Sequence, residues 1–151
     1  MALIVQKFGG TSVSSPERIR AAAERVARAR RNGDRVVAVI SAIGDTTDRL
    51  VELAGTVAPH AAGTRRREMD QLLATGEQAA SALVALALEE RGVPAVSLTG
   101  PQAEILTDAS HSAARIVRIR GRRVQAALEQ GRVPVVAGFQ GIGPDGRITT
   151  L

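Results

Sequence analysis

The chain has 151 residues, 44% hydrophobic and 23% charged, with a formal net charge of +5 and no cysteine. That length suits one sizeable core, the composition is that of a folded domain, and the absence of thiols excludes disulfides and thiolate metal sites. The basic balance raises nucleic acid as a partner, but the arginines alternate with alanine on helical stretches and only Phe8 and Phe139 could stack on bases, so the clusters at 65–67 and 118–123 read as solvated helix ends.

Residues 2–8, ALIVQKF, form a short apolar run that stops at Gly9 and Gly10, the pattern of a buried strand entering a tight loop. The run lacks the basic start and cleavage site of a secretory leader. A helix is predicted next. Ser14 or Ser15 can cap it, Pro16 suits its first turn, Ile19, Ala22, Ala23 and Val26 make its apolar stripe, and Asn32 to Asp34 end it. RVVAVIS at 35–41 is a continuous apolar strand of the kind covered on both faces. It leads through a loop into a helix over 46–57, with Thr46 or Thr47 as the expected cap.

After the loop at 58–63, helical sequence runs over 64–91, with a break or kink expected near Gly76. Its most apolar run, ALVALAL at 82–88, is far shorter than the roughly 20 residues of a membrane span. The chain therefore reads as soluble and cytoplasmic, with no membrane partner. AVSLT at 95–99 is the next strand, followed by a polar loop. ARIVRIR at 114–120 and RVPVVAGF at 132–139 are two further strands, with a helix over 122–130 between them. Strands alternating with helices predict a mainly parallel α/β sheet with right-handed crossovers. The tail GFQGIGPDGRITTL reads as strand, turn and strand. Its Gly141, Gly143 and Gly146 spell G-x-G-x-x-G, but no helix follows, so a glycine-rich hairpin is the better reading. The strand-like ending at Leu151 is what a chain cut from something longer would show.

Nineteen of the twenty cationic side chains are arginine, and Lys7 is the only lysine. It stands at the end of the first strand, followed by Gly9, Gly10, Thr11, Ser12 and a helix start. An ammonium, close-approach N–H groups, hydroxyls and a helix dipole around one point all attract phosphate oxygens. From the spacing alone, a plain Gly-Gly turn with Lys7 in solvent stands equally. Ser41 and Thr47 follow the second strand, and Glu77 lies beside a glycine in a helix; taken singly, these are a loop residue, a cap and a solvated helix residue. His60 and His111 have no metal-ligand spacing and read as ordinary loop histidines, so no metal site is expected.

Taken together, KFGGTSV (7–13), VVAVISAIGDTTDRL (36–50), ATGEQ (74–78), GVPAVSLTGPQAEILTD (92–108) and GRVPVVAGFQGI (131–142) resemble, in order, aspartate kinases of the amino acid kinase family. The resemblance implies a three-layer α/β/α fold, with residues 1–151 as the N-terminal, amino-acid-binding lobe, and the nucleotide lobe and ACT domains outside them. It implies transfer of the ATP γ-phosphoryl group to the β-carboxylate of L-aspartate, the first step of lysine, threonine and methionine biosynthesis. MgATP is then a co-substrate and nothing is bound tightly. On the family pattern Lys7 is catalytic and, with Gly9, Gly10, Thr11 and Ser12, binds phosphate, while Ser41, Thr47 and Glu77 bind aspartate. The alternative is a non-catalytic half-kinase that binds an amino acid or a partner protein; a homo-oligomer, or a chain supplying the second half, stays open as a partner.

Overall fold

The computed structural model describes residues 1–151 as two four-stranded sheets and four α-helices. β1 (Leu3–Phe8) passes through a short 3-10 turn (Gly10–Val13) into α1 (Pro16–Arg31), and β2 (Arg35–Ile40) leads to α2 (Thr46–Val57). The chain continues through α3 (Arg66–Glu89), β3 (Ala95–Leu98), β4 (Ile105–Thr107) and β5 (Ile116–Ile119). It finishes with α4 (Arg122–Glu129), β6 (Val133–Ala137), β7 (Gln140–Ile142) and β8 (Ile148–Thr150).

The first sheet has the order β1-β2-β6-β3 and every pair in it is parallel. Apart from Arg35 at the start of β2, its central strands are apolar because both faces are covered. Val36, Ala38, Ile40, Val133 and Val135 pack with α1 and α3 on one face. Val37 and Val136 meet Leu128 of α4 on the other, which gives the expected three layers. Alanines let the helices sit close: α1 contributes Ala22 and Ala23 beside Val26, and α3 contributes Ala80 beside Val84 and Leu88.

The second sheet has the order β5-β4-β7-β8 and is largely antiparallel. Here the structure departs from the sequence reading. ARIVRIR does not join the parallel sheet; its strand β5 is an exposed edge paired with β4, inside the stretch read as a polar loop. β4 has three residues, too few for a periodicity to appear, and the alternating Ile and Arg of β5 resemble a half-buried strand although all four of its residues are exposed. The β7–β8 hairpin is as expected, with Gly146 at φ +77° in its turn.

Ser15 caps α1, its Oγ accepting the Arg18 N–H at 3.3 Å. Neither expected threonine caps α2: Asp45 occupies the cap position, and Thr46 Oγ1 donates to the Ile43 carbonyl at 2.6 Å. α3 runs unbroken through Gly76. A Cβ there would lie 3.0 Å from Ala42 Cβ, so this glycine admits a neighbouring loop rather than ending a helix. At 24 residues α3 is long and apolar enough to cross a membrane, yet it serves as a core helix against β3, β6 and β8. Asp70, near its start, is fully buried. Its carboxylate accepts from Thr150 Oγ1 (2.5 Å), the Ser112 N–H (3.0 Å) and His111 Nδ1 (2.7 Å), so His111 is a packed hydrogen-bonding residue and not an ordinary loop histidine.

Candidate functional site

Parallel strands deliver their C-terminal ends, and the loops that follow, to one side of a sheet. β1 and β2 end side by side, with Lys7 opposite Val39 and Phe8 opposite Ile40. The loop after β2 is then held from two sides. Towards β1, the Ser41 N–H donates to the Phe8 carbonyl (3.0 Å) and the Gly44 N–H to that of Gly10 (3.2 Å). A Cβ on Gly10 would come within 3.1 Å of the Ala42 carbonyl oxygen. Towards α3, Gly76 touches Ala42, and the Ala42 N–H faces the Glu77 carboxylate. The peptides of Ala42 thus join the glycine turn after β1 to the middle of α3, bringing together three segments that are far apart in sequence.

The two charged residues at this junction differ in setting. Lys7 is exposed, has no carboxylate within ion-pair distance, and folds back so that Nζ lies 3.8 Å from where a Gly9 Cβ would be. The Gly9 N–H has no acceptor in the chain, and Thr11 and Ser12 are exposed. Glu77 is only 5% exposed, and burial raises its pKa against the opposing pull of its own N–H and that of Ala42. Ser41 and Thr47 are half-buried, one in the loop and one in the first turn of α2.

One part of the expected anion site is built differently. The hydroxyl segment does not open α1; it forms the 3-10 turn, in which the Ser12 N–H already donates to the Gly9 carbonyl at 2.9 Å. The N-terminus of α1 is closed separately by Ser15, so Lys7, backbone donors and the exposed Thr11 and Ser12 hydroxyls are the groups available to an anion, not the dipole of a long helix. No group of three or more His, Asp or Glu side chains is gathered for a metal.

Two neighbours escaped sequence reasoning. Phe139 follows β6 at φ +58° and is 51% exposed, while the adjacent Gly138 N–H donates to the Ile40 carbonyl at 2.9 Å. An exposed aromatic in a left-handed conformation thus stands beside the start of the 41–45 loop. The available signal was a Phe flanked by polar and glycine residues just after an apolar strand. Gln140, next to it, is completely buried; a polar residue in a short hairpin strand gives no such hint.

The structure is thus an α/β protein whose parallel sheet carries a lysine and a glycine turn at its C-terminal edge. The profile of the amino acid kinase family matches residues 2–151, and the chain belongs to that family. Its curated relatives are more particular. It is 52% identical to an aspartate kinase of Stutzerimonas stutzeri and 53% to one of Pseudomonas putida, each over all of this chain and 36% of the relative. The chain therefore spans about a third of the length of the aspartate kinases it matches. Among solved structures, aspartate kinase from Synechocystis superposes with a TM-score of 0.79 at 47% identity, over 99% of this chain and 23% of that one. Aspartokinase III of E. coli, in complex with aspartate and ADP, gives 0.83 at 23% identity over 100% of this chain and 43% of that one, a likeness of fold.

Proposed function

We propose that these residues form the amino-acid-binding portion of an aspartate kinase, which transfers the ATP γ-phosphoryl group to the β-carboxylate of L-aspartate. The observation that carries this reading is the junction at Ala42, which lies against Gly10 in the turn after the unpaired Lys7 and against Gly76 beside the buried Glu77. Such a pairing suits a substrate with a reacting anionic end and a cationic end. Lys7 and the Gly9 N–H fit phosphate oxygens, because Lys7 lacks a carboxylate partner and the Gly9 N–H lacks an acceptor. Glu77 fits the substrate ammonium. Ser41 and Thr47, half-buried in the loop after β2 and the first turn of α2, are the further aspartate-binding residues of this reading. The named relatives, and the aspartate complex of the E. coli enzyme, support the choice of aspartate.

Transfer to a carboxylate joins two anions, so positioning and fixed positive charge are the protein's main contributions. A carboxylate oxygen attacks the γ-phosphorus, the bond to the ADP oxygen breaks, and the product is an acyl phosphate. Lysine offers a compact charge at the end of β1, whereas a longer planar guanidinium there would displace the phosphate. The test is acyl phosphate formation, trapped as hydroxamate, by the full-length polypeptide. Lys7→Arg should lower kcat on the order of a hundredfold with little change in aspartate KM. Glu77→Ala should instead weaken aspartate binding by about 1.5–3 kcal/mol. Near-unaltered kcat in the first variant would remove Lys7 from the chemistry. Aspartate binding without turnover would favour a non-catalytic amino-acid-binding module.

A further inference from the structure

Gln140 engages three partners through one amide. Its Nε2 donates to the Ala74 carbonyl at 3.0 Å, and its Oε1 accepts from the Gly100 N–H and from Gln78 Nε2, each at 3.3 Å. Ala74 and Gln78 bracket Glu77 on α3, one a turn before it and the other directly after it. In an α-helix the Ala74 carbonyl already accepts from the N–H four residues on, so the bond from Gln140 is not needed to form the helix. Its effect is to fix where that turn lies.

The other end of this strut is closely packed. Gln140 pairs with Thr150 in the β7–β8 hairpin, and Gly100 lies so close that a Cβ on it would overlap the Gln140 carbonyl oxygen. Across α3, Gly76 rests against Ala42. The turn carrying Glu77 is therefore held between the 41–45 loop on one side and a side chain of fixed reach from the second sheet on the other. We infer that Gln140 is a positioning residue: by bonding Ala74 and Gln78 it fixes the turn of α3 that carries Glu77 beside Ala42, and so sets how tightly the ammonium of the amino-acid substrate is gripped. The identity of that ligand rests on the proposed function; the placement of Glu77 does not. A glutamine that merely filled the core would affect stability and leave Glu77 untouched.

Two variants of the full-length polypeptide separate these roles. Gln140→Met keeps the volume and loses the amide; Gln140→Glu keeps the reach and exchanges the donor for a titratable group. The first readout needs no substrate: carboxylate NMR of Glu77, whose titration should move back towards the ordinary glutamate range in Gln140→Met as water reaches it. The second is kinetic, with aspartate KM rising about tenfold, kcat within about twofold and ATP KM unchanged. In Gln140→Glu a protonated carboxyl can donate to the Ala74 carbonyl as the amide does. The ratio of its aspartate KM to that of the unaltered protein should therefore fall between about pH 8 and about pH 6. That ratio carries the test if Gln140→Met does not fold. A Gln140→Met protein that melts at lower temperature but keeps the Glu77 titration and the aspartate KM of the unaltered protein would overturn the inference. A displaced Glu77 titration in a protein that never phosphorylates aspartate would uphold it and sink the aspartate reading alone.

Discussion

The raised pKa of Glu77 sets up an opposition between binding and folding. Burial favours the protonated carboxyl, so the stability linked to it is fully present below the ordinary glutamate pKa of 4.5 and is lost as pH rises through the raised value. Above the raised value the fold holds a carboxylate at a cost, which a bound ammonium would offset. We predict that Glu77→Gln melts at a higher temperature than the unaltered protein at neutral pH, with the gap closing as pH falls below 4.5. Thermal melts across pH check this, and a gap that persists in acid would mean that burial of charge is not its origin. Lys7 was legible in the sequence because its chemistry is local: one lysine, two glycines and two hydroxyls in a row. The burial of Glu77 was not, since it depends on Ala42, 35 positions away by number, reaching across Gly76. Asp70 and His111 were hidden for the same reason, being 41 residues apart.

Among the elements, α4 begins without a side-chain cap, because Gly121 at φ +63° holds the cap position. Its exposed first turn is served from elsewhere. Glu104 Oε2 accepts the Arg122 N–H at 2.9 Å and its Oε1 accepts Arg122 Nε at 2.9 Å, so one carboxylate caps the helix and pairs with its first side chain. The Arg122 contacts bring the Glu104 pKa down to about 2. With a lowered pKa the associated stability is present above the ordinary value of 4.5 and disappears as pH falls towards about 2. Glu104→Gln should accordingly speed amide exchange in the first turn of α4 at neutral pH and match the unaltered protein in strong acid. Equal exchange at neutral pH would show that the cap is idle. The parallel sheet and all four helices were readable from apolar periodicity, capping serines and terminal glycines, because each signal lies within a few residues. The second sheet was readable only in its β7–β8 hairpin: the three-residue β4 gave no signal, and its pairing with β5 and β7 is decided by contacts distant in sequence.

Taken as a whole, the molecule shows apolar residues on its β1 edge, with Leu3 53% and Val5 64% exposed on a strand that has a partner on one side only. Open edges of this kind pair with other chains. We predict that these 151 residues, expressed alone, self-associate with rising concentration in sedimentation experiments and form no acyl phosphate, since the site described supplies groups for only part of a two-substrate reaction. Turnover by that polypeptide would show that the second substrate needs nothing further. The strand order β1-β2-β6-β3 also bears on biosynthesis. A ribosome delivers β2 and β3 long before β6, the strand that must enter between them. Until residues 133–137 emerge, both neighbours carry a bare backbone edge, and Asp70 waits longer still for Thr150, 80 residues behind it. Local helices can form early, but the parallel sheet closes only near the end of this stretch. Through most of that stretch the nascent chain therefore exposes unpaired strand edges, the state in which aggregation competes with folding.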